Sequence, residues 1–315
     1  MTGADPAAAR DPARAFAALD LVVRRRLEGL LHGDHAGVRL GPGTDPEEVV
    51  RYRPGEDDVR RIDWNVTARS LEPHVWRPVA EHELETWLLL DETPSMAFGT
   101  ATVEKSTLAA SAGAAVALLT DGPGNRLGVA RLRPDGLRWE APRSSRAGAH
   151  RVARSAADVP REGAGGPSLA EAIGALERRA RRPGVRVVVS DLVEPDGTHA
   201  RPFPWEPALR RLAARHDVVV VEVVDPRELD LPDLGLLTLT DPESGRAREV
   251  WVSADLRERY AALAASHRAA VADAVRSCRA GHVRLRTDGD WVRDLARFVL
   301  GRRRGHRPVP RRRTR

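Results

Sequence analysis

Trp87-Leu88-Leu89-Leu90-Asp91-Glu92-Thr93-Pro94-Ser95-Met96 decides how the rest of the chain is read. Its apolar run has the length of a buried strand and stops at Asp91. Hydroxyls follow at Thr93 and Ser95, and a helix-like segment starts near Lys105. A strand that ends in Asp-x-Thr-x-Ser before a helix gathers oxygen ligands at a sheet edge. One carboxylate and two hydroxyls suit a hard cation such as Mg²⁺, which takes oxygen ligands and keeps water-filled positions. A second reading is that Thr93 and Ser95 only cap the following helix.

Downstream the pattern alternates. Helices are expected over Ser106–Leu119, Ser145–Ala157, Leu169–Ala180, Trp205–Ala214, Ala254–Arg279 and Trp291–Leu300. Strands are expected over Arg126–Leu132, Leu137–Glu140, Val185–Val189, Val218–Val224, Leu234–Leu239 and His282–Leu285. Apolar strands alternating with amphipathic helices predict an α/β fold with a mainly parallel, doubly wound sheet over residues 84–300. Upstream, 1–12 read as a disordered lead and Ala13–Leu31 as a helix. His32–Asp45 turn repeatedly, and Glu48–Tyr52 and His74–Val79 are extended. Residues 13–83 thus make an N-terminal helix and a small, mostly β region.

With 315 residues, 42% hydrophobic, the chain can bury a sizeable core. A single cysteine, Cys278, rules out an internal disulfide and fits a cytoplasmic setting. No apolar run reaches membrane-spanning length, and the N-terminus has no secretory h-region. The charge of +6 is carried almost wholly by arginine; Lys105 is the only lysine. The arginine-rich tail, 301–315, reads as solvated and disordered, with nucleic-acid binding as a lesser reading. No GxxxxGK[ST] loop and no tight histidine ligand spacing is present, and Cys278 sits inside a helix rather than at a nucleophile position.

Two later turns share the grammar of the first. Ser168 follows Gly165-Gly166-Pro167 before a helix, and also reads as its N-cap. Asp191 follows Val187-Val188-Val189-Ser190 at a strand end. Turns beyond the carboxyl ends of parallel strands share one edge, so Asp91, Thr93, Ser95, Ser168 and Asp191 are expected to converge.

The pattern of these three turns resembles the von Willebrand factor A-like fold with its metal-ion-dependent adhesion site. The upstream residues Tyr52-Arg53-Pro54-Gly55, Asp57-Asp58-Val59-Arg60, Arg61-Ile62-Asp63-Trp64 and Thr67-Ala68-Arg69 resemble the signature of the domain of unknown function 58 family. So do His216-Asp217-Val218, Asp225-Pro226 and Asp241-Pro242-Glu243-Ser244-Gly245. The resemblance implies Thr93, Ser95 and Ser168 as hydroxyl ligands of a divalent cation, with Asp91 and Asp191 holding it directly or through water. It implies a non-enzymatic adaptor that works with a MoxR-type AAA+ ATPase and a client protein in maturation or assembly. A metal-dependent phosphoesterase or other hydrolase is the alternative; it needs a general base beside Asp91, and the sequence names none. Thr93 and Ser168 exchange Ser and Thr relative to the family pattern, and Glu92 and Pro94 are departures within the loop; Glu92 is expected to add charge beside the cation. The acids and arginines around Asp63 read as an ion-pair and hydrogen-bond network with Trp64 as an anchor, in preference to a catalytic site.

Overall fold

The computed structural model describes residues 47–55, 57–78, 84–122, 124–155, 159–160, 163, 165–240 and 247–305. The expected lead, the helix Ala13–Leu31 and the turns of 32–45 lie outside them. The chain divides into two compact units, one of them Gly41–Glu83.

In that small unit, β1 (Glu47–Arg51) pairs antiparallel with β2 (His74–Pro78), with Val50 opposite Val75. A helical turn, Val59–Arg61, and α1 (Trp64–Ser70) lie between the strands. The acids of this stretch fold it by holding backbone N–H groups. Asp57 accepts from the Arg53 amide and Asp58 from that of Arg60, each at 2.9 Å. Asp63 caps α1 by accepting from Asn65 and Val66 at 2.9 and 3.1 Å. An aspartate is short enough to reach the amides of its own turn, which satisfies donors a helix start leaves open. Two expectations change here. The region contains a helix as well as strands, and Trp64, 71% exposed, anchors nothing.

The larger unit runs from Leu84. Its elements are β3 (Glu85–Asp91), α2 (Lys105–Leu119), β4 (Arg126–Arg133), β5 (Gly136–Ser144), α3 (Ser145–Arg154) and α4 (Leu169–Arg179). Then come β6 (Val185–Ser190), α5 (Glu206–Ala213), β7 (Asp217–Val224), β8 (Leu236–Thr240), β9 (Ala247–Trp251), α6 (Ala254–Ser277), β10 (Gly281–Arg286) and α7 (Trp291–Gly305). Six strands form one sheet in the order β10-β7-β6-β3-β4-β5. Only the β4–β5 pair is antiparallel. This is the expected mainly parallel α/β architecture.

The apolar runs explain the layering. Leu88 and Leu90 of β3 with Val187 and Val189 of β6 face a core shared with α2, α3 and α7. Trp87 and Leu89 with Val188 face the opposite core, shared with α4, α5 and α6. Strands this apolar on both faces must be covered on both, so helices pack on either side of the sheet. The chain leaves β3 for β4 on one side, and β6 later takes the other. The order reverses between β3 and β6, which is where such sheets open a crevice beyond their carboxyl ends.

Two expectations are corrected at the periphery. β9 pairs with β8 as a hairpin that the hydropathy pattern did not mark. The basic tail begins later than 301, because α7 continues to Gly305 and Arg302 pairs with Asp217. Cys278 is buried at the end of α6. No helix among the described residues is long and apolar enough to cross a membrane.

Candidate metal centre

Asp91 is the last residue of β3 and is buried. Its carboxylate is held by its own turn. Thr93 donates to Asp91 Oδ1 from its amide at 3.1 Å and from its hydroxyl at 2.7 Å. Ser190, at the end of β6, donates to Oδ2 at 2.6 Å. The Thr93 and Ser95 hydroxyls lie 3.2 Å apart. Neither acts as a cap: α2 starts at Lys105, and the helical turn Pro94–Ala97 receives no bond from the Thr93 side chain. The capping alternative for these two residues is therefore set aside. Ser168 does cap α4, accepting from the Glu171 amide at 3.2 Å while Glu171 reaches back to the Ser168 amide at 2.8 Å.

Asp91, Thr93, Ser168, Ser190 and Glu194 line one cleft of about 260 Å³. Its other wall is the β4–β5 turn at Arg133 and Pro134, facing Gly165 and Gly166. A Cβ on Gly166 would lie 2.7 Å from the Pro134 carbonyl oxygen, so only glycine allows this approach. The sheet edge thus brings Asp91, Thr93 and Ser168 together around an open space. Ser95 and Asp191 are close by but do not line it.

Asp191 is engaged elsewhere. The Lys105 ammonium sits 2.8 Å from Asp191 Oδ2, and both side chains are almost fully buried. Lys105 also pairs with Glu228. Asp191 Oδ1 accepts from the Val193 amide at 3.1 Å, and its backbone oxygen accepts from Arg268 at 2.8 Å. Arg268 continues to Glu222 at 3.0 Å, and Glu222 takes His282 and Arg284 at 2.8 Å each. The two aspartates consequently titrate in opposite directions. Burial, then the Asp191 charge, pushes Asp91 up to about 6 against the hydrogen bonds from Ser190 and Thr93. Asp191 is buried too, but Lys105 and its hydrogen bonds, including one from Ser95, hold it below the usual carboxylate range.

Glu194 is a member of the cleft that the sequence reading missed. Burial, with the charges of Asp196, Asp191 and Asp91, pushes it up to about 7. Its Oε1 is buried without a hydrogen-bond partner. Glu92, by contrast, adds no free charge to the cleft. It is buried between Arg131 at 2.5 Å and Arg133 at 3.1 Å, which neutralise it. The expectation that Glu92 charges the cation site is corrected on that ground.

Among the described residues no three His, Cys, Asp or Glu side chains form a metal-ligand group. The donors gathered here are hydroxyls with Asp91. That set, together with the unpartnered Glu194 oxygen, fits a hard divalent cation and not a soft one.

The family described as "Protein of unknown function DUF58" matches residues 48–270. Uncharacterized protein Rv1480 of Mycobacterium tuberculosis is 46% identical over 294 residues, which is 93% of this chain and 90% of that protein. Among solved structures, the conserved hypothetical protein BatB from Bacteroides thetaiotaomicron is 14% identical with a TM-score of 0.44, covering 70% of this chain and 99% of that one. A von Willebrand factor type A structure from Catenulispora acidiphila is 13% identical with a TM-score of 0.38, covering 72% and 43%.

Proposed function

The chain belongs to the DUF58 family, and on that premise we propose that it is a protein-interaction adaptor whose binding is switched on by a divalent cation. The observation that carries this reading is the pair of buried carboxyls, Asp91 and Glu194, in one cleft with the Thr93 and Ser168 hydroxyls and, among the described residues, no cationic side chain bound to either acid. Asp91, Thr93 and Ser168 would hold Mg²⁺ or a similar ion, with Ser95 and Asp191 acting through neighbours or water. When bound, the ion supplies a coordination position that a partner's Asp or Glu can complete. The chain's own residues do the remaining work. Thr93 and Ser190 orient Asp91, and Lys105 keeps Asp191 ionised beside it.

The partner we propose is a MoxR-type AAA+ ATPase acting on a client, as the family resemblance implies. Capture of such an ATPase by the purified protein is expected in Mg²⁺ or Mn²⁺, lost in EDTA and lost in Asp91→Ala. Capture that survives both EDTA and Asp91→Ala would end the metal-dependent mechanism and leave an adaptor of another kind.

Glu194 favours a second reading. A carboxyl that titrates near neutral pH in the same cleft as Asp91 is what a general base requires. A metal-dependent hydrolase would use Glu194 to activate water. Turnover of generic phosphoesters in Mn²⁺, abolished in both Asp91→Ala and Glu194→Gln, would establish it over the adaptor reading.

A further inference from the structure

A second cavity, of about 310 Å³, opens beside the first and is lined by Arg131, Arg133, Glu140, Arg151, Arg154 and Ser155. Arg133 borders both. Arg131 and Arg133 lie two apart on β4 and so project to one face of the sheet. Arg151 and Arg154 come from the last turn of α3.

Glu140 accepts from Arg131 at 2.7 Å through Oε1 and pairs with Arg151 at 2.8 Å through Oε2. Glu92 is taken by Arg131 and Arg133, as above. Both oxygens of both acids are occupied. Arg131, Arg133 and Arg151 thus share these two carboxylates. The more exposed Asp135 is 4.0 Å from Arg133 and belongs chiefly to Arg138. Arg151 keeps two buried nitrogens, Nε and Nη2, with no acceptor. The plainer role for Arg151 and Arg154 is to offset the carbonyls at the end of α3. That role places positive charge there, but it does not supply acceptors for the Arg151 donors.

We propose that this cavity binds a phosphoryl dianion, either inorganic phosphate or a phosphate monoester. Parallel guanidinium N–H groups match phosphate oxygens in pairs. Arg151 would supply the open buried donors and Arg154 a further positive charge on the lining. Arg131 is held by Glu92 and Glu140 and forms the rigid floor. An anion seated here also meets Arg133, on the wall it shares with the Asp91 cleft. The proposal does not depend on the cation reading.

Calorimetric titration of the full chain with inorganic phosphate, in EDTA and at ionic strength fixed with chloride, tests it. One-to-one saturable binding is expected, weakened about tenfold or more in Arg151→Gln and in Arg154→Gln. Arg138→Gln, an exposed arginine away from the cavity, should leave it unchanged. Arg154 is itself exposed, so its variant keeps the test valid if Arg151→Gln folds poorly. A parallel titration with O-phosphoserine separates the sources. Equal affinity indicates the free ion, and about tenfold tighter binding indicates a phosphorylated side chain. Absence of saturable binding by the unaltered protein, or binding unaffected by both substitutions, would overturn the proposal.

Discussion

Asp91 and Asp191 stand at the ends of neighbouring parallel strands, are both buried, and each accepts an amide of its own turn and a hydroxyl from the neighbouring one, yet they differ in charge compensation. Asp191 has Lys105 against it; Asp91 has no cationic side chain against it among the described residues. One is an ion pair, the other a carboxyl held by hydroxyls and an amide alone. Identical residue types at equivalent strand ends therefore have different chemistry, and a single side chain on α2 makes the difference. The chain carries one lysine among 51 basic residues, and that lysine is the one buried at this point. A compact ammonium fits between Asp191 and Glu228 where the planar fork of an arginine requires more room.

Removing Lys105 attacks the comparison most directly. Lys105→Met leaves the buried Asp191 without its cation, while the half-buried Glu228 keeps Arg268 at 3.9 Å, and a loss of about 3–5 kcal/mol is expected in denaturant unfolding. Adding Asp191→Asn to that variant should recover part of the loss; no recovery would mean the pair is not coupled.

Next in size is Glu194→Gln. A carboxyl raised to about 7 when folded keeps its proton where the unfolded chain, near 4.5, has released it. Its contribution is fully present below pH 4.5 and disappears as pH rises through 7. Without added cation, Glu194→Gln should therefore stabilise the protein at pH 8 relative to pH 5, by roughly 1–3 kcal/mol. Thermal unfolding across that range checks the sign.

Asp91→Asn should act in the same direction over a lower window, from 3.8 to about 6, and by less, roughly 1–2 kcal/mol. It should also erase any rise in melting temperature on adding Mg²⁺ at pH 8. Asp191 has the opposite sign: its contribution is present above 3.8 and is lost as pH falls through its lowered folded value.

The smallest effect expected is from Thr93→Val, which removes one hydroxyl donor from Asp91 at about 1 kcal/mol. A larger Mg²⁺ response defect than stability defect in this variant would mark the hydroxyl as a ligand and not only an orienting group.

The sheet was legible because burial on both faces makes β3, β6 and β7 mostly apolar, with buried polar side chains only at Thr86, Arg186, Glu222 and the strand ends. The meeting of Asp91, Thr93 and Ser168 followed from the same logic, since parallel strands place their following turns on one edge. What spacing could not show was who pairs with whom across the edge. Lys105 and Asp191 are 86 residues apart, and Glu92 finds Arg131 and Arg133 on the next strand. A signal existed for Glu92: two arginines on one face of an otherwise apolar strand require a buried acid. Glu194 gave a fainter one, three residues past Asp191 and followed by Pro195. In the small unit, the dense run of acids and arginines was expected to form an ion-pair and hydrogen-bond network, and the hydrogen bonds run from backbone amides to the aspartates. Short aspartates reach the amides of their own turns, so Asp63 caps a helix, and the expectation that failed is Trp64, which points outward.

The placement of β3 between β4 and β6 also bears on synthesis. On the ribosome, β3 can find β4 and β5 within about fifty residues of its own end, but its other edge is unpaired until β6 emerges roughly ninety residues after Asp91. At about 5–20 residues per second the nascent chain carries an open, wholly apolar strand edge for several seconds. Such an edge templates pairing with other chains. Slower translation between codons 92 and 190 lengthens that exposure and should lower the folded yield.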